Sequence, residues 1–110
     1  MNELNKMPEG LSAAGQLAYN QIMVILQRQN RTDTGGCKTF YSPAEWNARG
    51  EDYGLKSELI VVYDGGDVSG FFNYDDEQYG SIDEMSEALQ QSNLFSEQCT
   101  NWYSAIYKGE

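Results

Sequence analysis

The chain has 110 residues, with 17 Asp+Glu against 7 Lys+Arg, no His and a net charge of −10. A chain this long buries roughly two-thirds of its unfolded surface, enough for one domain without metal or disulfide staples. The lack of His excludes His-based triads, His-ligated zinc and the commonest general base together. A content of 40% apolar residues argues against overall disorder.

The charge is lopsided. Residues 1–50 carry four acids and five bases, whereas residues 51–110 carry thirteen acids and two bases, Lys56 and Lys108. Between those lysines lie ten acids and no base. Such a surface repels phosphate backbones and anionic lipid, so neither direct nucleic-acid binding nor membrane binding is expected. It attracts a basic protein or a cation.

Residues 1–10 read as a loose leader, because Pro8, Glu9 and Gly10 offer little to bury. Ser12 can cap a helix running to Gln29. Leu11, Ala14, Ala18, Ile22 and Ile25 share one face of it, and Leu17, Met23, Val24 and Leu26 widen that face. A helix so apolar is either the central core element or packs on a second copy of itself, giving a homodimer through helix 12–29. Asn30 to Gly36 is polar and reads as a loop. Cys37 to Tyr41 is a short β-prone stretch. Ser42-Pro43-Ala44-Glu45 combines an N-cap, Pro at the first helical position and Glu three after the cap, which predicts a brief helix held down by Trp46.

Glu58 to Tyr63 is apolar on both faces and predicts a central strand. Asp64-Gly65-Gly66-Asp67 breaks it, and Phe71 to Tyr74 reads as an antiparallel second strand. Ser81 and Glu84 read as a capping box for a helix buried through Ile82, Met85 and Leu89. Ser96 can cap a last helix through Tyr107, with Cys99, Trp102, Tyr103, Ile106 and Tyr107 on one face. The expectation is one α+β domain over residues 1–110: a short, mostly antiparallel sheet of about three strands in the order α-β-α-β-β-α-α. Its core centres on Leu17, Ile22, Ile25, Leu59, Val61, Met85, Leu89, Trp102 and Ile106.

Cys37 and Cys99 stand 62 positions apart with no C-x-x-C pair, and Met1 to Gly10 has no apolar run of a signal peptide. A cytoplasmic protein with reduced thiols is expected. Asn73, Asp75, Glu77, Ser81 and Glu84 fall at the side-chain offsets of an EF-hand loop, but Gln78 stands where the turn needs Gly. Tight Ca²⁺ binding, and any resident metal or cofactor, is therefore not expected. No phosphate-binding glycine loop and no nucleophile-elbow motif occurs, so catalysis is not expected either.

These features favour a small non-enzymatic interaction module. Asp64, Asp67, Asp75, Asp76 and Glu77, together with Tyr74 and Tyr79, form its candidate partner-binding surface. Tyr is enriched at interfaces because it buries much area yet keeps a polar handle. The expected partner is a basic protein, and inhibition of a nucleic-acid-binding protein by charge mimicry is one concrete form. A chain this short and acidic fits a phage- or plasmid-borne inhibitor. Two other classes compete. One is a ligand- or cation-binding module that uses the Asp64–Asp67 loop and nearby aromatics. The other is a homo-oligomer whose acids only confer solubility.

Overall fold

Ser12 sets the first helix as its sequence predicts: its hydroxyl accepts the Gly15 N–H at 3.0 Å, and α1 runs Ala13–Arg28. The computed structural model describes residues 3–109. The chain then forms β1 (Phe40–Tyr41), α2 (Pro43–Ala48), β2 (Leu59–Val62), α3 (Tyr79–Gln90), β3 (Leu94–Gln98) and β4 (Tyr103–Lys108). Short 3-10 turns cover Glu3–Asn5, Val68–Phe71 and Tyr74–Asp76. The result is an α+β domain whose four strands pair antiparallel throughout, in the order β1-β2-β4-β3.

The register gives the sheet two different faces. Phe40, Leu59, Val61, Leu94 and Ile106 join the larger core, which holds Ile22, Ile25 and Leu26 of α1 and Met85 and Leu89 of α3. Tyr41, Ile60, Val62, Tyr103, Ala105 and Tyr107 point the other way and pack with Trp46 of α2. The α2 start is the predicted capping box: Ser42 Oγ accepts the Glu45 N–H, and the Glu45 carboxylate accepts the Ser42 N–H. Burial pushes the Glu45 carboxyl up, but the Ser42 N–H and Lys38 outweigh it and leave it below its ordinary value. β2 is buried at all four positions, as an apolar run between two neighbours requires.

Several expectations are corrected. Phe71 to Tyr74 is no strand: Val68–Phe71 and Tyr74–Asp76 coil into 3-10 turns that bury Phe71 and Phe72 as a plug. The last helix is instead the β3–β4 hairpin: Tyr103 to Ile106 are all buried, so β4 is covered on both faces, which suits β-prone Tyr and Ile. The order is therefore α-β-α-β-α-β-β, with four strands rather than three. The third helix starts at Tyr79, so Ser81 lies inside it and caps nothing. Leu17 is 42% exposed on the outer face of α1, and Trp102 is half-buried in the smaller cluster.

Within the leader, Leu4 and Asn5 are docked rather than loose, whereas Met1 and Asn2 lie outside the described residues. The Asn5 side chain donates to Thr32 O and accepts from Thr39 Oγ1, Tyr19 Oη donates to Asn5 O at 2.6 Å, and Thr39 N–H donates to Leu4 O. Among the described residues, no helix is long and apolar enough to cross a membrane.

Candidate interaction surface

Val62 of β2 stands opposite Tyr103 of β4, so the chain leaving β2 and the turn entering β4 emerge at the same end of the sheet. The residues before β1 arrive there too, where Thr39 O accepts the Val62 N–H. Most of the acids named from the sequence are carried by the segments that meet at this end.

The Asp64–Asp67 loop interlocks with the Asp33–Gly36 loop. Asp67 N–H donates to Asp33 O at 2.8 Å, the Asp67 carboxylate accepts the Asp33 N–H, and the Asp33 carboxylate accepts the Gly35 N–H. Gly65 and Gly66 both have positive φ, which only Gly adopts freely. Asp67 is thus half-buried and committed to this joint, whereas Asp64 is exposed. Arg31 braces the same region. Its guanidinium lies 4.3 Å from the Phe71 ring centroid and donates to Asp67 O and Gln78 Oε1, each at 3.2 Å.

Asn73 fixes the acidic tip. Its Oδ1 accepts the Asp75 N–H at 3.0 Å and Gln98 Nε2 at 2.9 Å, while its Nδ2 donates to Asn101 O at 3.1 Å. Gln98 Oε1 accepts the Tyr74 N–H, and Gln98 Nε2 also donates to Thr100 O. A buried Asn73 amide and a half-buried Gln98 amide, satisfied at this many atoms, hold a segment rigidly. They present Tyr74 at 58% exposure, the exposed Asp75, Asp76 and Glu77, and Tyr79 at 55% exposure. Among the described residues, none of these three acids makes an ion pair. The predicted site residues therefore share one end of the sheet, with Asp67 serving the loop joint.

The EF-hand offsets do not make a calcium loop here. Asn73 is spent on its network, and Ser81 and Glu84 sit within α3. Among the described residues, no group of three or more Asp, Glu or Cys could hold a metal ion. Both thiols are half-buried and free, and burial pushes each pKa up, so neither is a ready nucleophile.

Sequence reasoning missed two features. One is the outer-face aromatic cluster, where Trp46 meets Tyr41 and Tyr103, each at 4.9 Å between centroids, with Arg49 4.6 Å over the Trp46 ring. The other is β3, an outermost strand carrying Phe95 stacked on Tyr107. Both needed the hairpin 94–108, which the helical spacing of its aromatics concealed. No family model, no curated protein and no solved structure matches the chain.

Proposed function

We propose that this chain is a small acidic interaction module that binds a basic protein partner through the Tyr74–Tyr79 end of its sheet. The observation that carries this reading is the rigid display, between two exposed tyrosines, of Asp75, Asp76 and Glu77, which pair with no base among the described residues. Loop acids that only confer solubility need no such buttress, whereas a binding tip gains affinity when its order is set before contact. Asp64 extends the negative potential from the neighbouring loop. A partner whose own site binds nucleic acid would carry the complementary charge, so blocking that site is the concrete form of the activity.

The test compares wild type with Asp75→Asn/Asp76→Asn/Glu77→Gln against a basic probe protein at low and high salt. Weaker binding by the variant at low salt, converging with wild type at high salt, supports the reading. Equal binding at both salts overturns it.

A further inference from the structure

β3 leaves one side of its backbone unpaired. The β3–β4 ladder uses the odd-numbered residues of β3 and its flanks, as the bonds from Cys99 N–H to Tyr103 O and from Gly109 N–H to Asn93 O mark. The N–H and C=O groups of Leu94, Ser96 and Gln98 therefore point away from β4. β3 is the terminal strand of the sheet, so among the described residues no strand pairs on that side. The other terminal strand, β1, is only two residues long. Natural edges are usually blunted by charged residues (Lys above all), Pro, a bulge, extreme shortness or a covering element. β3 has five residues and no Pro, and its one charged residue is the acid Glu97.

The side chains beside this edge fit a particular visitor. On the outer face β3 presents Phe95, 42% exposed and stacked on Tyr107 at 5.5 Å, and then the exposed Glu97. An added strand would set an aromatic or β-branched residue next to Phe95 and a Lys or Arg next to Glu97. At the far end of β3, Gln98 is tied to the segment carrying Asp75, Asp76 and Glu77. α3, packed beside β3, exposes Asp83, Glu84 and Glu87 and carries no base. A second copy bearing −10 is repelled by the same charge.

We propose that the free edge of β3 accepts an extended, Lys/Arg-bearing strand of a protein partner, which adds to the sheet as a fifth strand. The inference rests on the basic-partner reading and says how such a partner docks: backbone bonds at Leu94, Ser96 and Gln98 hold it, and Phe95 and Glu97, two apart on the outer face, select an apolar and a basic residue two positions apart on the visiting strand.

The probe is a short synthetic peptide that repeats Val-Thr-Lys-Thr, so that Val and Lys stand two apart on one face, beside a twin N-methylated at every amide, which keeps the charges but cannot pair as a strand. Each is titrated at low salt into the full chain and into Ser96→Pro, with amide exchange followed at Ser96. Pro at position 96 removes an outward N–H and leaves the bonds to β4 in place. The plain peptide is expected to bind wild type and to slow exchange at Ser96. N-methylation and Ser96→Pro should each weaken binding by about tenfold or more. Equal binding of the two peptides to wild type overturns strand addition and leaves the basic-partner reading standing; this arm decides even if Ser96→Pro fails to fold. Failure of both peptides to bind overturns both. Concentration-dependent dimers of wild type that Ser96→Pro abolishes would put a second copy on the edge and overturn the basic occupant.

Discussion

Gly66 packs against Gly35 so closely that a Cβ on Gly66 would lie 2.6 Å from the Gly35 amide nitrogen and would also strike Asp33 O. This contact joins the loop after β2 to the loop before β1, and φ at Gly66 is +80°. Gly66→Ala therefore meets two obstacles, strain and collision. Gly36→Ala meets only the first, since its φ is +87° but its Cβ would touch nothing within 4 Å. A left-handed Ala alone costs about 1–2 kcal/mol. Gly66→Ala should lose more than Gly36→Ala, by ~1 kcal/mol or above, in denaturant midpoints. Equal losses would show that the two loops do not interlock.

Val61 is fully buried at the middle of the sheet, facing α1 and α3. Val61→Asp strands a charge there at a cost of about 3–5 kcal/mol. That is a large share of a small domain's stability, so the variant should lose its cooperative thermal transition. An unchanged melting curve would contradict the packing of β2.

Tyr63 makes stability depend on alkaline pH. Its ring stacks on Phe72, its hydroxyl lies 2.8 Å from Ser104 Oγ, and burial raises its pKa to about 12 from 10.0. The folded state thus holds the phenol proton more tightly than the unfolded chain. The stabilisation is complete below pH ~10 and is lost as pH rises through ~12, by roughly 2 kcal/mol or more in all. Burial raises Tyr19, Tyr103 and Tyr107 too, which acts in the same direction. Tyr63→Phe should flatten the fall in stability between these pH values, read by denaturation at each pH. A slope identical to wild type would assign the effect to the other tyrosines.

What the sequence discloses divides along the range of the forces involved. The Ser12 and Ser42 caps and the four-residue run of β2 depend on neighbours in the chain, and they stand where the residue pattern places them. The hairpin 94–108 does not reveal itself locally. Tyr103, Ser104, Ala105 and Ile106 are all buried, so β4 has no polar alternation, and its aromatics fit a helical period equally well. Phe71 and Phe72 look like a strand because both are apolar, yet tertiary packing coils them into the core. The acids 75–77 can be read directly as a candidate tip. That Asn73 pins them to Gln98 depends on pairing between segments 25 positions apart. The edge of β3 is hidden for the same reason.

The acidic tip should separate charge from contact. Asp75, Asp76 and Glu77 are exposed, and their segment is held by Asn73 rather than by their own carboxylates. Neutralising all three as Asn, Asn and Gln should leave the fold intact and raise stability slightly, because it relieves self-repulsion in a chain of net charge −10. At ~0.15 M salt the screening length is about 8 Å, so only close basic contacts survive. Against a basic probe protein, the neutral variant should associate more slowly with little change in dissociation, since rim charges act chiefly on the on-rate. Tyr74→Ala and Tyr79→Ala test the opposite quantity. Each side chain is more than half exposed, so its loss should hardly affect folding. A tyrosine that becomes an anchor in the complex should speed dissociation at a cost of ~2 kcal/mol or more. Surface plasmon resonance at two salt concentrations reads both rates. A neutral variant that matches wild type in on-rate at low salt would assign the acids to solubility alone. Unchanged dissociation in both tyrosine variants would move the contact away from the tip and toward the edge of β3.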